Sequence, residues 1–152
     1  MSLPGIRLVA SVFERRNAEG DFAWMIEQPE YARALFVFND NEGQFEALLA
    51  GLAAGGGNAI IRPYQAGRPR AVGVPTGPGY DRLRPEVQAV IDRALARIGE
   101  LVGCGDYDRL IYSADPSDPA LLGHGIFEVG QDVRAYIVEG LRRIAAGDDD
   151  AG

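Results

Sequence analysis

Glycine-rich segments are the part of this sequence whose residue types and spacing are best suited to chemistry. Gly55, Gly56 and Gly57 stand in a row between an alanine- and leucine-rich run and Asn58. Glycine loses more backbone entropy on folding than any other residue, so three together indicate a backbone that another group approaches closely. Main-chain amides of glycine-rich segments suit phosphates or a diphosphate.

Three further side chains offer acid–base or metal chemistry. His124 is the only histidine and lies between two glycines, where it serves as a general base, a phosphate ligand or an inert loop residue. Asp115 and Asp118 in "ADPSDP" form either a carboxylate pair or an ordinary turn, and aspartate before proline favours the turn. No Walker loop, catalytic triad or metal motif accompanies these residues, so we expect no metal and no cofactor.

Tyrosine, cysteine and arginine residues in other segments have two interpretations each. Tyr80 in "PGYDRL" either stacks on a base or packs at a strand-to-helix junction. Cys104, with no histidine near it in sequence, is expected to be a structural thiol and not a reactive one. The segment "RPYQAGRPR" (62–70) carries three arginines and is either a clamp for a phosphate or protein partner or a solvated loop.

Short apolar runs predict the strands that position these residues. Residues 34–38 ("ALFVF"), 71–75 ("AVGVP") and 109–113 ("RLIYS") are nearly continuous in apolar character, which is typical of strands buried on both faces. Residues 6–13 and 22–26 are separated by a polar, turn-forming segment, and we predict a hairpin with a long loop there.

Amphipathic spacing predicts the helices between the strands. One helix begins at Pro85 and ends before Gly103, and another covers about residues 132–145 with arginines in its last turn. A third covers about residues 44–53. Strands that alternate with helices favour a layered α/β domain, in which ligands sit outside the carboxyl ends of the strands. Each predicted strand is followed by polar or glycine-rich sequence, which predicts a phosphate-binding cleft at that edge.

Composition limits the classes of partner. The chain has 152 residues and a formal charge of -7, which fits one domain over residues 1–147 with a disordered acidic tail at 148–152. The negative charge argues against binding to duplex nucleic acid, because that affinity comes largely from lysine and arginine. No apolar stretch is long enough to span a bilayer, and we expect a cytoplasmic protein of undetermined oligomeric state.

Four segments, in order, resemble the motifs of macrodomains, the family that binds ADP-ribose and its derivatives. The segment "FVFNDNE" (36–42) resembles the asparagine-rich end of a macrodomain strand, and "GGGNAII" (55–61) resembles the glycine-rich loop that opens a helix. The segment "PTGPGY" (75–80) resembles the turn after a later strand, and "GHGIFEVGQDV" (123–133) resembles the diphosphate loop and its helix. "LFVFNDN" and "VGVPTG" also resemble a phage and bacterial macro-like branch.

The resemblance implies a three-layer α/β/α fold with a central mixed sheet and a nucleotide as the small-molecule ligand. It implies that asparagines after the first of these strands bind the ribose hydroxyls, that the three glycines line one wall, and that the last loop surrounds the phosphates. The ligand-binding residues implied are Asn39, Asn41, Gly55, Gly56, Gly57, Asn58, Gly123, His124, Gly125, Ile126 and Phe127.

Departures from the family pattern favour a binding module over an ADP-ribosyl hydrolase. Asp21 in "EGDF" is the nearest residue to the adenine-reading aspartate, but it lies too far before the "ALFVF" strand to be assigned. Ala59 stands where hydrolytic members commonly have an acidic residue, and the adjacent glutamates of the poly-ADP-ribose-cleaving branch are missing. The alternatives are a hydrolase acting on an ADP-ribose derivative or another nucleotide, and a non-catalytic scaffold.

Overall fold

The chain folds into a mixed α/β structure with a mostly parallel sheet flanked by helices. The computed structural model describes residues 5–12, 17–40, 69–75, 80–123 and 129–147. The strands are β1 (Arg7–Ser11), β2 (Ala34–Asp40), β3 (Ala71–Pro75), β4 (Arg109–Asp115) and β5 (Asp118–Leu122). The helices are α1 (Phe22–Met25), α2 (Pro85–Gly103) and α3 (Gln131–Ala145), with a single 3-10 turn at Pro29–Tyr31.

Three parallel strand pairs bring the carboxyl ends of β1, β2, β3 and β4 to one edge of the sheet. The strand order is β1-β4-β2-β3, and every neighbour in that order is parallel. Strand β5 returns antiparallel along the carboxyl end of β4, with a register shift between Ala114 and Asp115. The predicted α/β class is therefore confirmed, while the macrodomain-like arrangement of three layers stays a prediction.

Helices α2 and α3 cover one face of the sheet. Val87, Ile91, Ala94 and Ile98 repeat at helical spacing and are buried in one cluster with residues of β2, β3 and β4. In α3, Val133, Ile137 and Leu141 are buried in the same cluster, as the sequence predicted. The backbone N–H of Ile6 donates to the Ala145 carbonyl oxygen at 2.7 Å, so α3 ends beside the amino end of β1.

The opposite face is covered by α1 and the 3-10 turn, and here the predicted hairpin is wrong. Residues 22–26 do not form a strand, because the Asp21 carboxylate caps a helix by accepting the Ala23 backbone N–H at 3.2 Å. Gly20 precedes this N-cap with φ 101, a left-handed conformation that favours glycine. Phe22 and Met25 then pack in a second cluster with β2, and β1 pairs with β4 instead.

The other predicted elements agree with the structure where it describes them. The three apolar runs are β2, β3 and β4, and both long helices lie within a residue or two of their predicted ends. Strand β5 was not predicted. The helix expected at 44–53 and the tail expected at 148–152 lie outside the described residues. Among the helices that the structure describes, none is long and apolar enough to cross a membrane.

Candidate functional site

The structure describes two of the eleven residues that the sequence predicted as ligand-binding. The backbone of Asn39 lies in β2, opposite Val74 of β3, near the carboxyl edge of the sheet. Gly123 follows β5, and its N–H donates to the Ser113 carbonyl oxygen at 2.8 Å. The remaining predicted residues lie outside the described part of the chain, and their role stays a prediction: Asn41, Gly55, Gly56, Gly57, Asn58, His124, Gly125, Ile126 and Phe127.

Gly123 has a structural reason to be glycine. A Cβ atom at this position would lie 3.1 Å from the Ala114 carbonyl oxygen, which is tighter than most Cβ contacts in proteins. The group that approaches the Gly123 backbone is therefore strand β4. No ligand is needed to account for a glycine at this position.

Two segments that carry predicted motifs meet at the start of α3. The Gly130 backbone N–H donates to the Tyr80 carbonyl oxygen at 2.9 Å, and the Leu83 N–H donates to Asp132 Oδ2 at 2.8 Å. A Cβ on Gly130 would stand 2.2 Å from the Asp81 carbonyl oxygen, so only glycine fits between the two backbones. The segment after β3 and the segment after β5 are thus held together at the carboxyl edge of the sheet.

A buried arginine joins α3 to the end of β4. Arg134 is 8% exposed, and its Nη1 donates to Asp115 Oδ2 at 2.7 Å and to the Leu122 carbonyl oxygen at 3.4 Å. Its Nε donates to the Val129 carbonyl oxygen at 3.2 Å. Three acceptors from β4, β5 and the segment before α3 therefore hold one guanidinium. This contact fixes the base of the segment that the sequence predicted as a phosphate loop.

The Asp115 and Asp118 carboxylates accept hydrogen bonds within a turn, and this is the role that the structure gives them in place of acid–base chemistry. Asp115 Oδ1 accepts the backbone N–H and the hydroxyl of Ser117, and these bonds together with Arg134 lower the pKa of Asp115 from 3.8 to about 2. Asp118 Oδ1 accepts the Ala120 backbone N–H at 2.9 Å. A carboxylate with a pKa near 2 stays ionised at neutral pH and cannot act as a general acid there.

The other residues with two interpretations also have structural roles where they are described. Tyr80 is 3% exposed and lies in the core cluster between the sheet and helices α2 and α3, so its ring is not available for stacking on a base. Arg70 Nη2 donates to the carbonyl oxygens of Ile26 and Tyr31 at 3.0 and 2.8 Å, at the ends of α1 and the 3-10 turn. Cys104 is exposed, and its thiol contacts the Glu100 carbonyl oxygen at 3.4 Å.

A groove of about 380 Å³ lies beside β1, on the face of the sheet that α1 covers only in part. Its walls include Arg7 and Arg109 from the two neighbouring strands and Tyr31 from the 3-10 turn. Sequence reasoning missed this groove. Its residues come from three distant segments and share no motif, so no signal in the sequence identifies it.

No protein-family model matches the chain, and no match was found among the curated proteins or the solved structures. The macrodomain resemblance therefore rests on the four motifs alone. In the part of the chain that the structure describes, no group of three or more histidine, cysteine, aspartate or glutamate side chains is placed to hold a metal ion.

Proposed function

We propose that this protein binds ADP-ribose or a related nucleotide diphosphate at the carboxyl edge of its parallel sheet. The observation that supports the proposal is the hydrogen bond from the Gly130 N–H to the Tyr80 carbonyl oxygen. It brings together the two segments that resemble the macrodomain turn at 75–80 and the macrodomain diphosphate loop at 123–133. In the sequence, polar or glycine-rich residues follow several of the strands, which favours a binding module over a scaffold.

Two helices begin at this edge of the sheet. Helices α2 and α3 begin next to each other, because Leu83 just before α2 is bonded to Asp132 in the first turn of α3. Each helix start carries a partial positive charge of roughly half a unit, which the Glu86 and Asp132 carboxylates of the two first turns offset. The Asp115 carboxylate nearby is neutralised by Arg134 and so does not repel an anion strongly.

In this proposal the chain's residues bind the ligand without cleaving it. The Gly123 N–H is already bonded to Ser113, so the backbone amides of His124, Gly125, Ile126 and Phe127 hold the phosphates, and Asn39 and Asn41 bind ribose hydroxyls. Gly55, Gly56, Gly57 and Asn58 line the opposite wall. The Asp115 and Asp118 carboxylates are occupied by donors of their own turn and of Arg134, which favours a binder over a hydrolase.

Calorimetric titration tests the proposal. We expect saturable binding of ADP-ribose, with ADP weaker and AMP weaker by at least ~10-fold at the same salt concentration, because AMP lacks the second phosphate. No binding of any of the three at millimolar concentration would contradict the proposal and leave a scaffold role. Release of ADP-ribose from a modified substrate would instead favour the hydrolase alternative.

Gly125→Val tests the phosphate loop itself. A valine side chain at this position fills the space that the diphosphate needs, so we expect binding of ADP-ribose to be lost while the circular dichroism spectrum and melting temperature change little. The matched control is Gly99→Ala in α2, where an added Cβ has no neighbour within 4 Å. An affinity for ADP-ribose that is unchanged in Gly125→Val would contradict the assignment of this segment as the phosphate loop.

A further inference from the structure

The groove beside β1 has the size and the lining of a ligand site. Its volume of about 380 Å³ falls in the range of roughly 300–1,000 Å³ that small-molecule sites occupy. It is formed by strands β1 and β4, by Glu19 and Gly20 before α1, and by Met25 and Tyr31. None of these residues belongs to the carboxyl-edge site proposed above.

Strand register sets the floor of the groove. Val9 of β1 is the register partner of Ile111 of β4, so the two side chains share the face that α1 covers. The Met25 sulfur closes one side, where it accepts the Ser11 hydroxyl at 3.8 Å and the Gly20 backbone N–H at 3.2 Å. Val9 is therefore the partly exposed apolar residue of the floor, and the buried Ile111 and Met25 side chains support it from beneath.

Two arginines lie side by side at the amino end of the groove. Arg7 is the register partner of Arg109, which places two guanidinium groups on one face of neighbouring strands. Like charges in that position repel each other and destabilise a sheet. Arg109 is partly compensated, since its Nε donates to Asp108 Oδ1 at 3.0 Å and its Nη2 donates to the Glu30 carbonyl oxygen at 3.1 Å.

Arg7 differs from Arg109 because its side chain is exposed and makes no hydrogen bond or ion pair with any residue that the structure describes. The carboxylate in the groove lining is Glu19, and its Oε2 is already bonded to the Tyr31 hydroxyl at 2.5 Å. The Tyr31 ring in turn lies 5.4 Å from the Arg109 guanidinium. The site thus offers one available cation beside an apolar floor.

We propose that the groove beside β1 binds a small organic anion, with its apolar body against Val9 and its acidic group on the guanidinium groups of Arg7 and Arg109. The anionic group is a carboxylate, sulfonate or phosphate, for which guanidinium is the favoured partner. An added negative charge also removes the repulsion between the two arginines. This site is independent of the proposed nucleotide site.

Octanoate is the probe, and octanol is the matched neutral compound. We expect calorimetry to show saturable binding of octanoate that is at least ~10-fold tighter than binding of octanol. Amide chemical shifts in a titration followed by NMR should change at Val9, Ser11 and Tyr31. Equal affinity for octanoate and octanol, or shifts confined to residues away from β1, would overturn the proposal.

The variant Arg7→Gln removes the positive charge from the groove without removing a hydrogen bond to any described residue. Because this side chain makes no hydrogen bond or ion pair with any described residue and repels Arg109, we expect a melting temperature that does not fall, a loss of about 10-fold in octanoate affinity, and an unchanged octanol affinity. Arg142→Gln is the control, since Arg142 is an exposed arginine on α3 whose side chain pairs with Glu139. Octanoate affinity that is the same in Arg7→Gln as in Arg142→Gln would overturn the proposal.

Val9→Phe tests the apolar floor by filling it. We expect this variant to lose octanoate and octanol binding together while it keeps any binding of ADP-ribose, which shows that the two sites fail separately. If Val9→Phe proves unfolded by circular dichroism, the Arg7→Gln titration decides alone. Undiminished octanoate binding by a folded Val9→Phe variant would place the ligand elsewhere and overturn the proposal.

Discussion

Two arginines in this protein have opposite surroundings. Arg134, at the carboxyl edge, is 8% exposed and donates to a carboxylate and two carbonyl oxygens from three different segments. Arg7, beside the groove, is exposed and bonded through its side chain to none of the described residues. The first guanidinium is held by three acceptors of the fold through its Nε and Nη1 atoms, whereas the second is available to a ligand.

This difference shows that polar residues at the carboxyl edge of the sheet need not all bind a ligand. At the start of α3 the described polar groups form hydrogen bonds with one another. The Asp132 carboxylate accepts the Leu83 backbone N–H, and the Gly130 N–H donates to the Tyr80 carbonyl oxygen. The Asp115 carboxylate accepts hydrogen bonds from Ser117 and Arg134. These groups form a hydrogen-bonded frame at the carboxyl edge of the sheet. In the groove beside β1, the side chains of Tyr31, Glu19 and Arg109 have hydrogen-bond partners. The Arg7 side chain has none among the described residues.

Replacement of Gly130 should break the carboxyl-edge frame and have the largest effect on stability. A Cβ at Gly130 would lie 2.2 Å from the Asp81 carbonyl oxygen, so Gly130→Ala must separate the two backbones and lose the bond to Tyr80. We expect a loss of about 3 kcal/mol in the free energy of unfolding, measured by urea denaturation. Gly99→Ala, the control in the interior of α2, should instead gain roughly 0.5–1 kcal/mol. Equal stability of the two variants would contradict the claim that this frame requires a glycine at position 130.

Asp115→Asn should give a smaller effect that depends on pH. The folded-state pKa of Asp115 is lowered to about 2 from its usual 3.8, so its contribution to stability is present above pH 3.8 and is lost as pH falls towards 2. We expect the wild-type protein to be more stable than Asp115→Asn at pH 7 and the difference to shrink between pH 4 and pH 2. Urea denaturation at several pH values measures this, and a difference that stays constant over that interval would contradict the carboxylate's role.

Local sequence signals were enough to predict the central strands and both long helices. Strand β3 is buried at each of its five positions, which matches its continuous apolar run. The error at residues 22–26 was avoidable, because Asp21 followed by a short apolar segment is also an N-cap signal. Strand β5 is harder to predict, since Pro119 and two aspartates give its start the composition of a turn.

The partners of charged side chains could not be predicted from the sequence. Arg134 stands among apolar positions on the buried face of α3, which signals a buried arginine, but nothing local identifies Asp115 as its acceptor. The pairing of Arg7 with Arg109 depends on the register of two strands about a hundred residues apart, and a shift of one residue would remove it. Such sites exist only in the tertiary structure.

Tyr31→Phe should give the smallest loss of stability of the three variants, and it tests the contacts of the groove beside β1. The Tyr31 hydroxyl donates to Glu19 Oε2 at 2.5 Å, and burial followed by this hydrogen bond raises the pKa of Tyr31 from 10.0 to about 12. Because the folded-state pKa is raised, its contribution to stability is present below pH 10 and is lost as pH rises towards 12. At neutral pH we expect Tyr31→Phe to lose roughly 1 kcal/mol, while it still binds octanoate through Arg7.

An alkaline titration of tyrosinate absorbance in both proteins isolates this group from the other tyrosines. The difference between the wild-type and Tyr31→Phe curves should show one ionisation near pH 12. An ionisation near pH 10 would mean that Glu19 does not hold the hydroxyl.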